Sequence, residues 1–281
     1  LTLSSTIGRN KRLVPGEVLR ELIQGTQAFV EMLNTHGCRV VFAGGETADV
    51  GDLVRTLIVD STVSVRMEKR RFIDTSRICP GLAIVGLASF GQAKYEVAYN
   101  AGMGSNGLTA ARHELFHHEY LAKYPETVDA GLGEQVLYQG PHRVTDPLEG
   151  TPLSWGRAVL SPTRTYLPVV RAMLKEHAAD IVAFIHCTGG GQTKCVKFGR
   201  QLRYVKDNLF PLPPLFAALR ARGSEREFWQ VFNGGHRLEV YCDPRRCDAL
   251  IQVAASFGVE ARVVGHTEDA PSNSLILKHD G

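Results

Sequence analysis

Gly44-Gly45-Glu46-Thr47-Ala48-Asp49 sets two glycines and two carboxylates directly after an apolar run, Val40-Val41-Phe42. Glycines without a Cβ let backbone amides come close to an anion. Mg²⁺ takes one or two carboxylates and completes its shell with phosphate oxygens. Glu46 and Asp49, with Asp52 behind them, are therefore candidate Mg²⁺ ligands. A surface turn with its acids in water accounts for the same residues, and composition alone leaves both readings open.

Three further stretches could do related chemistry. Gly102-Met103-Gly104-Ser105-Asn106-Gly107 feeds a helical pattern that starts at Leu108. Such a loop offers free amides and the positive end of a helix dipole to an anion. It lacks the Gly-Lys-Ser/Thr of a P-loop, and a flexible loop capped by Asn106 is the plain alternative. Thr188-Gly189-Gly190-Gly191 follows an apolar strand ending at His186. Three glycines in a row cost backbone entropy, and close approach to a ligand is one reason to keep them, a sharp turn another. His186 is a candidate acid or base, although a histidine ending a strand is more often simply hydrogen-bonded. Ser161-Pro162-Thr163-Arg164 has an N-cap and a proline at a first helical turn. Its Arg164 can fork onto a phosphate or a carboxylate, or cap the helix from the surface. Phe232-Asn233-Gly234-Gly235-His236 reads as a turn before a strand. His113 and His117 have i,i+4 ligand spacing but no carboxylate at a suitable offset, so they read as surface features.

The elements that must hold these residues follow from periodicity. Val18, Leu19, Leu22, Ile23, Phe29, Val30 and Leu33 keep helical spacing between Pro15 and Gly37, which predicts a helix over 15–36. Strands are expected at Arg39–Phe42, Leu53–Met67, Leu82–Ala88, Ile181–Ile185, Leu238–Cys242, Glu260–Val264 and Leu275–Leu277. Helices are expected at Leu108–Lys123, from Ser161 to about His177, at Pro213–Ala221 and at Pro244–Phe257. Residues 124–157 read as a long excursion. Strands alternate with helices on both sides of residue 160, so the fold class is α/β or α+β, with a domain boundary near 155–162.

Composition removes several classes of function. The chain has 281 residues, 44% of them apolar, and a net charge of +3. Lys and Arg are scattered, so no nucleic-acid groove is expected. Arg66–Arg71 is the densest basic run and reads as a solvated strand end. No apolar run reaches the ~20 residues of a membrane span. The six cysteines show no CxxC spacing, which points to a reducing, cytoplasmic compartment. The chain opens on Leu1 inside a strand-like run, Leu1–Thr6, and is expected to be a fragment of a longer domain.

In order, the motifs read GGETADVGD, GLASFGQ, GSNGLTAAR, LSPTRTYLPVV, IHCTGGG, VFNGGHRLEVY and VVGHTE. This series resembles phosphoribosylformylglycinamidine cyclo-ligase, or AIR synthase, from the first helix to about residue 268. The resemblance implies a two-domain fold. An N-terminal domain over 1–160, incomplete at its start, forms a barrel with a second subunit; a C-terminal α/β sandwich covers 161–281. It implies a homodimer that closes the ring of formylglycinamidine ribonucleotide to aminoimidazole ribonucleotide, with ATP and Mg²⁺ as cofactors. Carried over, the catalytic residues are Glu46, Asn106 and His186, and the metal ligands Glu46 and Asp49. Nucleotide or phosphate contacts fall to Gly44, Gly45, Thr47, Ser105, Gly107, Thr163, Arg164, Thr188, Gly189, Gly190 and Gly191. Gly104 stands where the family often has histidine, and Gly234 where many relatives have methionine. Two other readings are another member of the same ATP-using superfamily, such as the preceding amidine synthase, and a non-catalytic dimerising fragment.

Overall fold

The computed structural model describes residues 1–279. Along the chain run β1 (Thr2–Arg9), α1 (Gly16–Thr35), β2 (Val41–Asp49), β3 (Leu57–Ser64), β4 (Ala83–Ala88), α2 (Leu108–Leu115) and α3 (Glu119–Lys123). There follow α4 (Trp155–Val159), α5 (Leu167–His177), β5 (Ile181–His186), β6 (Leu202–Lys206), α6 (Pro214–Arg220), α7 (Glu225–Val231), β7 (His236–Cys242), α8 (Cys247–Ser256), β8 (Ala261–Asp269) and β9 (Ser274–Leu277). The chain divides into two compact units, one of residues 1–72 and 119–134, the other of 73–118 and 135–281.

The first unit is a three-stranded sheet in the order β2-β1-β3 with the helix α1. β1 pairs parallel with β2 and antiparallel with β3. The helix buries Val30 and Leu33 of the stripe that the sequence spacing marked, and Gly37 ends it at φ 73°. Asn34 then ties helix to strand: its side chain accepts from the Val40 amide at 2.7 Å and donates to the Val40 carbonyl at 2.8 Å.

The second unit is built on a six-stranded sheet in the order β5-β7-β4-β8-β6-β9. Every residue of β4 and of β7 is buried, as expected of strands inside a covered sheet. α8 packs on β4 and β8 and against α5. Ile84, Ile185, Leu202, Tyr204, Phe210, Tyr241 and Val264 are among the residues of its core. β4 is antiparallel to both β7 and β8, so residues 83–88 belong with the C-terminal strands. The boundary expected near 155–162 consequently falls inside this unit.

Three local expectations change. The strand expected to stop at Phe42 continues to Asp49, so Gly44–Asp49 is strand rather than loop. The helix expected over 108–123 breaks after Leu115, because Phe116 is extended and bridges to His142. The helix expected from Ser161 begins at Leu167. Ser161 is otherwise engaged: its hydroxyl accepts from the Ala101 amide and its carbonyl from the Gly104 amide. β6 and α7 were not anticipated; neither carries a strong run of alternating or helically spaced apolar residues.

Candidate functional site

In the first unit, the glycines of the opening motif serve strand pairing. A Cβ on Gly45 would lie 1.7 Å from the Ser5 carbonyl oxygen of β1, beside the bulge between Leu3 and Ser5. Close backbone approach is a standard reason for glycine in a strand. Gly44, at φ 82°, takes a conformation that favours glycine. The expected pair of metal ligands does not converge. Glu46 is opposite Thr6 and Asp49 opposite Arg9, and residues an odd number apart in a strand face opposite sides. Asp49 is instead bound to Lys11, by an ion pair of 3.2 Å and by the Lys11 amide. That hydrogen bonding holds its carboxyl below the usual range. Glu46 is exposed and, among the described residues, accepts only from the Thr47 amide, at 3.1 Å. A cleft of about 630 Å³ lies at the end of β2, lined by residues that include Lys11, Arg12, Asp49 and Asp52.

In the second unit, four segments distant in sequence meet. The loop 102–107 is anchored on 161–163: the Gly104 amide donates to Ser161, and the Ser105 amide to the Thr163 hydroxyl at 3.3 Å. Its other side rests on 231–237. The Asn106 side chain donates to the Val231 carbonyl, and a Cβ on Gly107 would lie 2.5 Å from the Phe232 ring. The triglycine loop rests on the same segment, since a Cβ on Gly191 would meet the Phe232 and Trp229 carbonyls at 2.5 and 2.6 Å. Gly189, Gly190 and Gly191 all have positive φ. Asn233 links the two loops. It donates to Gly102, accepts from Ser89 and the Gly235 amide, and its carbonyl receives the Gln192 side chain. The segment expected to be a turn is thus the joint between the loops.

His186 ends β5 half-buried, with the Tyr166 ring 6.4 Å away. Burial first, then the charges of Arg237 and Lys194, push its pKa down to about 4. The imidazole is neutral at neutral pH, so it is not a ready proton donor there. Arg164 does not face a ligand. It forks onto Glu96 at 2.9 and 2.7 Å and donates to the carbonyls of Ala88, Phe90 and Gly91. All five of its donors are used, so of the readings open in the sequence the carboxylate fork is the one that forms. His113 is also inside: 8% exposed, it lies edge-on to Tyr138 with centroids 4.9 Å apart.

A charged cluster behind the loops had not been picked out. Lys206 Nζ is 2.5 Å from Glu239 Oε1, and both side chains are 0% exposed. Lys206 also donates to the Gln192 carbonyl and side chain at 2.8 and 2.9 Å. His236 and Tyr241 lie 3.0 and 2.7 Å from the Glu239 carboxylate. Burial alone would raise the Glu239 pKa, but Lys206 and then His236 pull it below the carboxylate range. Cys187, His236 and Glu239 have ligand atoms within 4.8 Å of one another. Lys206 already supplies the positive charge that Glu239 needs, so the cluster is an ion-pair network rather than a metal site. The signal available in sequence was a lysine and a glutamate inside apolar strands, which are almost never buried without a partner.

Residues 80–278 match the model of the C-terminal domain of AIR synthase related proteins. The chain belongs to the AIR synthase related family. The phosphoribosylformylglycinamidine cyclo-ligase of Methanococcus vannielii is 28% identical over 228 residues, 80% of this chain and 55% of that protein. The cyclo-ligase of Limosilactobacillus fermentum is 30% identical over 256 residues, 86% of this chain and 64% of its own length. The chain therefore spans a little over half the length of the curated relatives it matches. Among solved structures, E. coli HypE, a hydrogenase maturation protein, superposes with a TM-score of 0.52 at 12% identity, covering 98% of this chain and 69% of that one. A second HypE crystal structure gives 0.55 at 13%, over 98% and 72%. These likenesses are of fold, and they agree with the AIR synthase-like architecture expected from the motif order. The family match begins close to Ile73, where the second compact unit starts. Among the described residues no helix is long and apolar enough to cross a membrane.

Proposed function

We propose that the protein takes part in ATP-dependent ring closure of formylglycinamidine ribonucleotide to aminoimidazole ribonucleotide. The observation that carries this reading is the convergence of the 102–107 and 188–191 loops on 231–237, inside the unit that matches the family. Relatives at 28–30% identity are cyclo-ligases by name, which supplies the reaction.

The chemistry is phosphorylation of the formyl oxygen, attack by a nitrogen of the same molecule, and loss of phosphate. It needs positioning and charge neutralisation more than covalent help from protein. Amides of Asn106 and Gly107, ahead of α2, and of Gly189–Gly191 are suited to phosphate oxygens, whereas the Ser105 amide is taken by the Thr163 hydroxyl. Asn106 is fixed by Val231, so its orientation is set before substrate arrives. His186 is neutral and can accept a hydrogen bond from the attacking nitrogen. Thr188 and Thr163 stand beside these loops, whereas Arg164 acts by bracing the 88–91 backbone. ATP brings Mg²⁺ as its usual companion, but Glu46 and Asp49 lie on opposite sides of β2 and do not fit one ion together. Glu46 remains available singly.

We also assign the homodimer to the first unit. Its sheet has two open edges, β2 and β3. Val41, Ile58 and Val63 are 61%, 55% and 57% exposed, and bare apolar edges invite pairing with another strand. We place the protein in the cytoplasm, a reducing compartment that suits a chain whose cysteines form no disulfide among the described residues.

The test is phosphate release from ATP with and without formylglycinamidine ribonucleotide. Release that depends on this substrate is expected. Release that instead requires ammonia, or no release from folded protein, would overturn the reading.

A further inference from the structure

Arg237 is the second residue of β7 and 1% exposed. Its Nη2 donates to the carbonyls of Gly102 and Met103 at 2.8 and 2.5 Å. Its Nε is buried without any partner, and no hydrogen bond of its Nη1 exists within the protein among the described residues. Among the described residues no carboxylate pairs with it either. Its electrostatic neighbours, Tyr166 and Cys187, are both held neutral by burial. A buried cation without an anion is costly, and so is a buried unpaired donor.

The guanidinium faces the 102–107 loop. A Cβ on Gly104 would lie 2.5 Å from both Nη atoms, so this glycine leaves the space that Arg237 fills. The loop then leads into α2, eight residues long, through Gly107 in a left-handed conformation at φ 79°. A second cation approaches from the triglycine loop. Lys194 Nζ is 4.0 Å from a Cβ built on Gly189, and the charges of Lys194 and Arg237 both act on His186.

We propose that Arg237 and Lys194 together hold a phosphate monoester of the substrate against the amides that precede α2. This deepens the function proposed above, because it names the cations that select a phosphorylated ligand. Arg237 gives fixed, directional donors from a strand; Lys194 gives a mobile point charge from the loop. Gly104 is the residue that allows the arrangement.

The experiment is titration of the protein with inorganic phosphate and with ribose 5-phosphate, followed by the NMR shifts of the His186 ring. Saturable binding is expected, with the imidazole pKa rising as the two cations are neutralised. Charged hydrogen bonds of this kind contribute enough that Arg237→Met should weaken binding by about tenfold or more, and Lys194→Ala by several-fold. Lys194 is only half-buried, so its variant is expected to fold; Arg237→Lys covers the case in which the Met variant does not. Equal affinity in wild type and folded variants, or no saturation in wild type, would overturn the proposal. Arg237-dependent binding without substrate-dependent ATP turnover would uphold this site and reject the cyclo-ligase reading. Turnover unaffected by Lys194→Ala and Arg237→Lys would do the reverse.

Discussion

His186 shows how much a residue's chemistry depends on its surroundings. In sequence it is a histidine after an apolar strand; in place, burial and two nearby cations push its pKa down to about 4. An unfolded chain would protonate it near the ordinary histidine value of 6.5. Between these values the unfolded state binds more protons, so the His186 contribution to stability is present above about 6.5 and lost as pH falls toward 4. His186→Phe should flatten that part of a urea-derived stability profile; an unchanged slope would reject the shift. Gly104 and Gly234 have equally local reasons. Gly104 makes room for Arg237, and Gly234, at φ 59°, for Trp229, whose ring would be 2.2 Å from a Cβ there. Gly104→Ala should cost about 1–3 kcal/mol in chemical denaturation, as overpacking does.

At the level of elements, β2 and β7 carry the two sharpest expectations. Gly45→Ala should disrupt the pairing of β1 with β2, since the added methyl has no room beside Ser5. A loss of about 2 kcal/mol or more is expected, with faster amide exchange along Leu3–Ile7. For β7, Lys206→Met in the neighbouring element β6 leaves Glu239 charged and buried, which should cost roughly 3–5 kcal/mol. Adding Glu239→Leu should recover much of that loss, and a double variant as unstable as the single would show that the pair is not the cause. The Glu239 pKa lies below its unfolded value, so its share of stability is present above about 4.5 and is lost as pH falls through the folded value.

At the level of the whole molecule, association is the testable property. If β3 is the dimer edge, Ile58→Lys with Val63→Lys should shift the protein toward monomer in analytical ultracentrifugation while leaving the circular dichroism unchanged. A dimer of wild-type affinity in that variant would place the interface elsewhere.

Much of the architecture was legible because local chemistry decided it. The helix α1 followed from apolar spacing between Pro15 and Gly37, and β4, β5, β7, α8 and β8 from short apolar runs bounded by turn residues. The order of glycine-rich motifs was enough to point to the AIR synthase family and to the loops at 102–107 and 188–191. Tertiary structure decided the rest, because the outcome depended on partners far away in sequence. Only the neighbouring β1 shows that Gly44–Asp49 is a strand with its acids on opposite sides. Only Glu96 and three carbonyls show that Arg164 is fully spent. Arg237 and Lys206 look alike in sequence, as cations beside apolar residues of short strands. Lys206 is neutralised by Glu239 and Arg237 by no group among the described residues, a difference that exists only once the sheet has brought their neighbours together.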